Sequence, residues 1–287
     1  MEIQALRVLV PLDGSTEGEA VVDPLVSLKG MGPLRVTLMR VVPPNESGES
    51  AKRYLGIVRE RFEKQGIPAE TRTEWGEPAR EIRYCAGRSS FDLVAMTSHG
   101  RSGLKRAYLG SVTEEVLRHS ELPLLVVRPG VKAADWKRVV VPLDGSALAE
   151  RILPDAARLA KAFGTRIQLL RVTPSSVVQM MAAGHAGPIP AEDPGPYLQE
   201  VGRRLSREGI ASEPAVRRGD PVVEICRTAE EVGAGAICLA THGRTGLPRA
   251  LLGSVAEGVL RAAPCPVYVL RTLEAPVSVP ATAAAKA

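Results

Sequence analysis

The chain has 287 residues, about twice a typical domain, of which 45% are hydrophobic and 24% charged, with a mean hydropathy of +0.01. That balance excludes a disordered chain, and no apolar run reaches the roughly 20 residues that a membrane-spanning helix needs. The net charge of +5 comes from 37 basic and 32 acidic residues dispersed along the chain, and the few aromatics do not alternate with Arg or Lys, which argues against a nucleic-acid surface.

In chain order, residues 8–10 are an apolar run bounded by Pro11 and Gly14, and so read as a buried strand. Residues 16–29 follow with helical spacing of Val22, Leu25 and Val26, kinked at Pro24. Strands are expected at 34–42, 69–75, 91–97 and 124–128, and helices at 78–88, opened by Pro78, and at 111–119. The pattern then starts again. Arg7-Val-Leu-Val-Pro-Leu-Asp-Gly-Ser15 returns 131 residues later as Arg138-Val-Val-Val-Pro-Leu-Asp-Gly-Ser146. Gly76-Glu77-Pro78 and Ser98-His-Gly-Arg-Ser-Gly-Leu104 return as Gly219-Asp220-Pro221 and Thr241-His-Gly-Arg-Thr-Gly-Leu247, now 143 residues on. The second copy therefore carries a twelve-residue insertion between 173 and 208, seated in the Pro- and Gly-rich stretch 173–196. Continuous apolar strands joined through helices imply an α/β chain of two tandem doubly wound domains, each a five-stranded, mostly parallel sheet with helices on both faces. Their expected bounds are 1–131 and 132–274, with 275–287 a Pro/Ala-rich tail without structure of its own.

Ligands of such sheets bind at the carboxyl ends of the strands. Asp13 and Asp144 stand there, at the tips of the first strand of each copy. Each could accept hydrogen bonds from ribose hydroxyls, or could cap the following turn. After the fourth strand, Thr97-Ser-His-Gly100 leads through nine residues to Gly110-Ser111, and Ala240-Thr-His-Gly243 to Gly253-Ser254. This reads as a glycine-rich loop entering a helix. Ser111 with Glu114, and Ser254 with Glu257, are spaced as capping boxes. The free amides of such a helix start attract phosphate, and Gly110 and Gly253 let backbone approach an anion.

These residues resemble the universal stress protein (UspA) family in its tandem form, over nearly the whole chain. The resemblance rests on Val-Pro-Leu-Asp-Gly-Ser paired with Ser/Thr-His-Gly-Arg-Ser/Thr-Gly and Gly-Ser-Val, each present twice. It implies an ATP site, with or without Mg2+, since the fingerprint Gly-x2-Gly-x9-Gly-Ser/Thr marks the ATP-binding members. Carried over residue by residue, the second-copy set is Pro142, Asp144, Val172, Ala240, His242, Gly243, Arg244, Gly253 and Ser254. The first-copy set is Pro11, Asp13, Val41, Thr97, His99, Gly100, Arg101, Gly110 and Ser111. Thr97 and Ala240 replace the first fingerprint glycine, and the second copy is expected to bind more strongly. Gly253→Val is expected to abolish binding by filling the phosphate cradle.

No P-loop, nucleophile elbow or metal spacing is present, so rapid turnover is not expected and no residue is assigned a catalytic role. His99 and His242 either touch phosphate or brace the loop; Cys226 and Cys238 read as core. The first residues lack the basic and apolar regions of a secretory signal, and the four cysteines have neither disulfide nor zinc spacing, so the cytoplasm is the expected compartment. The expected role is to sense or sequester adenine nucleotide under stress, with at most slow hydrolysis; the alternative is a nucleotide-free interaction or chaperone-like scaffold. The apolar last strands, at 124–128 and 267–271, should pair within the chain, and a second chain should complete a homodimer. The insertion is expected to act as a lid over the second site.

Overall fold

In the first strand, β1 (Leu6–Pro11), successive side chains go to opposite faces: Val8 and Val10 join one apolar cluster and Leu9 the other, all three fully buried. The computed structural model describes residues 5–29, 32–43, 46–98, 109–131, 135–173, 193–243 and 252–273. β1 pairs in parallel with β2 (Leu34–Val42) on one side and β4 (Leu93–Thr97) on the other. β3 (Ala69–Trp75) lies outside β2, and β5 (Leu124–Val127) outside β4. The second copy repeats this arrangement with β6 (Arg138–Pro142), β7 (Arg166–Thr173), β8 (Ser212–Arg218), β9 (Ala236–Gly243) and β10 (Val267–Leu273). The ten strands form one sheet in the order β3-β2-β1-β4-β5-β10-β9-β6-β7-β8.

Among the described residues only the β5–β10 seam is antiparallel, with Leu125 opposite Tyr268. The direction of the strands therefore reverses there, and the carboxyl ends of the two copies point to opposite ends of the sheet. Side chains cross between copies as well. Arg128 Nη1 donates to the Ala263 carbonyl at 2.9 Å, and the buried Trp136 indole donates to the Pro24 carbonyl at 3.1 Å and to Ser27 Oγ at 2.9 Å.

Both faces of the sheet are covered, as expected of a doubly wound fold. One face carries α1 (Val22–Val26), α2 (Gly48–Glu63), α6 (Leu153–Phe163) and α7 (Gly195–Arg207); a short α5 (Ala147–Glu150) precedes α6. The other carries α3 (Pro78–Arg88), α4 (Ser111–His119), α8 (Pro221–Glu231) and α9 (Ser254–Ala262). The expected helix over 16–29 is shorter: a 3-10 turn, Gly18–Val21, leads into five-residue α1. Hydrogen bonds through Ser15 fold the entry into a turn, and Ser27 Oγ bonds back to the Pro24 carbonyl at 2.7 Å where the helix stops. Helices α2 and α7 add to the elements expected from the sequence. Each buries a stripe at helical spacing, Ala51, Leu55, Val58 and Phe62 in α2 and Leu198, Val201 and Leu205 in α7. Most of the insertion and the whole tail lie outside the described residues, as does the expected lid.

Candidate functional site

Where β1 ends, Leu12 N donates to the Met39 carbonyl at 2.8 Å, which keeps the chain on the sheet until Asp13. Gly14 then turns it at φ +77, and Gly145 turns the second copy at φ +82. Asp13 Oδ1 accepts from Ser15 N at 3.0 Å and Ser15 Oγ at 2.6 Å; Asp144 Oδ1 accepts from Ser146 N at 2.9 Å and Ser146 Oγ at 2.6 Å. Both aspartates thus brace the turn. Burial pushes the Asp144 carboxyl up, but the Ser146 hydrogen bonds and the Arg171 charge outweigh it and hold the group below the usual carboxylate range.

The opposite wall is a helix start in each copy. Gly110, at φ −61 and ψ 144, is the N-cap of α4, and Gly253, at φ +76 and ψ 140, is that of α9. The capping boxes do not form. Ser111 and Ser254 are already the first helical residues, and Glu114 and Glu257 turn instead to Arg118 and Arg261 one turn on. An N-cap hydroxyl needs extended backbone; at α4 Gly110 takes that conformation and the cap position with it, and at α9 the cap position is taken by Gly253 at positive φ. The first-turn amides consequently have no side-chain cap.

Pro11, Asp13, Val41, Thr97, Gly110 and Ser111 line one cavity of about 300 Å3. Pro142, Asp144, Val172, Ala240, Gly253 and Ser254 line a second of about 310 Å3. The structure thus brings each set together between a carboxylate, an apolar strand wall and an uncapped helix end. Thr97 is buried, and its carbonyl accepts from Thr113 Oγ1 at 2.7 Å. Gly110 N donates to the Ser98 carbonyl at 2.7 Å, fastening the helix entry to the strand end. His242 and Gly243, expected in a loop, are the last two residues of β9, because β10 continues alongside and pairs with them through Thr272 and Leu273. His99, Gly100, Arg101 and Arg244 lie outside the described residues. Among the described residues no group of His, Cys, Asp or Glu could hold a metal ion.

Sequence reasoning missed a polar cluster beside each cavity. In the first copy Arg40, only 2% exposed, pairs with Glu46 and lies over the Tyr54 ring at 5.4 Å, while Arg61 bonds Glu19 at 2.8 Å and Asp23 at 2.7 Å. A Cβ on Gly14 would come within 2.3 Å of Arg40 Nη1, so the guanidinium packs directly under the Asp13 turn. In the second copy Arg204 bonds Glu150 at 2.6 Å, and Arg171 donates to the Leu143 carbonyl at 3.3 Å. Burial first, and then the neighbouring Glu19 or Glu150, push the Tyr54 and Tyr197 phenols up. Four of these residues recur at the repeat offsets, Glu19 and Arg40 with 131 and Tyr54 and Arg61 with 143. That recurrence is the signal that could have found them.

Comparison with known proteins follows the same division of the chain. The sequence model of the Universal stress protein family matches residues 5–128 and again 135–271. A universal stress protein of Methanocaldococcus jannaschii is 33% identical over 140 residues, which is 47% of this chain and 82% of that protein. One of Mycolicibacterium smegmatis is 26% identical over 299 residues, 92% of this chain and 96% of that protein. The crystal structure of a universal stress protein from Archaeoglobus fulgidus superposes with a TM-score of 0.75 at 26% identity, covering 93% of this chain and 99% of that one.

Proposed function

The chain belongs to the universal stress protein family, and from that premise we propose that it binds ATP, with or without Mg2+, and senses or sequesters it in a stress response. One observation carries the reading: a turn-braced aspartate, a strand valine and an uncapped helix N-terminus converge on a cavity of similar size in both copies. In this assignment Asp144 and Asp13 receive the ribose hydroxyls, Val172 and Val41 lie against the adenine, and the amides entering α9 and α4 hold phosphate. The second copy is the stronger site. The assignment extends to His242, Gly243 and Arg244, and to His99, Gly100 and Arg101, on family resemblance alone. Hydrolysis is slow at most, since no general base is assigned. The protein works in the cytoplasm as a homodimer; among the described residues no helix is long and apolar enough to cross a membrane. A nucleotide-free scaffold is the second reading, favoured by Thr97, whose side chain stands where the fingerprint has bare backbone. Mass spectrometry of the purified, denatured chain decides between them. Co-purified ATP, ADP or AMP supports the binder; none, together with a flat calorimetric titration with ATP, supports the scaffold.

A further inference from the structure

A further cavity is distinct from the two paired sites. It has a volume of about 800 Å3 and lies between the copies, where the beginning of β1 faces α6 and α7. That is within the roughly 300–1,000 Å3 range of small-molecule sites. Its floor is apolar, formed by Leu6, Pro33, Leu153, Ala157, Val201 and Leu205.

The internal repeat supplies a filled twin of this cavity. Ala5 lines the open one, and the residue 131 positions later is Trp136. Trp136 is 3% exposed and inserts its indole against the other copy, where the Pro24 carbonyl and Ser27 Oγ accept from its N–H. The backbones around the two positions correspond: Gly235 N donates to the Arg138 carbonyl at 2.8 Å as Asp92 N, 143 residues earlier, donates to the Arg7 carbonyl at 2.9 Å. Gly235 has no room for a side chain, since a Cβ there would come within 2.6 Å of Trp136 Cα. One half of the pseudo-symmetric pair therefore carries its own indole, and the other offers the space with alanine in its place.

The rim constrains charge. Arg158 pairs with Asp92 at 3.3 Å, Lys161 with Glu208 at 2.8 Å and Arg204 with Glu150 at 2.6 Å. Each of these cations already has its anion, so none of the three exposed pairs offers an uncompensated charge to an ionic ligand, and a neutral one leaves all three intact. We infer that this cavity binds a neutral, flat aromatic small molecule of the indole class, taking the position that the Trp136 ring takes in the twin.

The test uses indole itself as the probe, with the full-length chain, in ligand-observed saturation-transfer NMR and in crystals soaked with indole. The expected result is saturable contact and a ring seated beside Ala5, Ala157 and Leu205. Ala5→Trp combined with Asp92→Gly copies the Trp136–Gly235 pair and should weaken indole binding at least tenfold. Ala157→Phe, which fills the cavity from the α6 side, should do the same and serves if the double variant fails to fold. Absence of saturable contact with the wild-type chain overturns the inference. So does a folded variant that binds indole as before, a ring found only in the 300 or 310 Å3 cavities, or a crystal structure in which residues 1–4 themselves fill the space.

Discussion

At Asp144 a depressed folded pKa means stabilisation that is fully present above the ordinary value of 3.8 and is lost as pH falls through the folded one. Asp144→Asn should therefore be less stable than the wild type at pH 7, with the gap closing below about pH 4; urea unfolding at pH 7 and pH 3 measures it. The same variant should bind ATP about ten- to a hundredfold more weakly by calorimetry, the usual worth of a hydrogen bond to a charged group. Gly253 carries a backbone constraint besides the cradle role expected of it. A Cβ there would meet nothing within 4 Å, but φ is +76, a conformation that valine and alanine rarely adopt. Gly253→Ala should thus cost about 1–3 kcal/mol through backbone strain. Gly110→Ala, at φ −61, should cost much less, and equal thermal shifts in the two variants would refute this account. The carboxylates and glycines of the site were legible because they recur in two copies. The Arg40 and Arg171 supports were not, since a single arginine in a strand looks like any solvated charge until the Gly14 and Gly145 turns are seen to close over it.

Among the elements, the strands were legible wherever both faces are buried, because runs such as Val8 to Val10 and Leu124 to Val127 have no polar interruption. Helices α2 and α7 carry many charges, and their stripes of three or four apolar residues are diluted in sequence though complete in space. The helix expected at 111–119 starts at Ser111 as read, but its N-cap is Gly110 rather than the serine, because Gly-Ser followed by Glu permits either residue to take the cap. Trp136, in the short connection ahead of β6, gives no periodic signal, yet it ties that connection to α1 of the other copy. Trp136→Ala should destabilise the protein by about 3–5 kcal/mol, the range for a fully buried large aromatic. A loss below about 1 kcal/mol in denaturant unfolding would mean that the indole is dispensable. Tyr268→Phe, which removes the 3.0 Å bond to Asp155 Oδ1, should cost only about 1 kcal/mol by the same measurement.

For the molecule as a whole, the sheet ends at β3 and β8, and both edges are guarded. β3 presents Glu70, Arg72 and Glu74, and β8 carries Pro214 with Arg217 and Arg218. The proposed homodimer should accordingly join through helices rather than by extending the sheet. Light scattering at micromolar concentration should give twice the 30.6 kDa chain mass; a single chain mass would remove the dimer. Separately expressed halves, each exposing the apolar edge of β5 or β10, should be soluble only when produced together. The antiparallel seam has one more consequence, for mass action. Two independent chains joined along such an edge would separate on dilution, and their melting would depend on concentration. Here the partners share a backbone, so each meets the other at an effective concentration that no dilution can change. Two non-identical cavities are thereby delivered in a fixed one-to-one ratio, and either can drift in sequence without forcing the same change on the other.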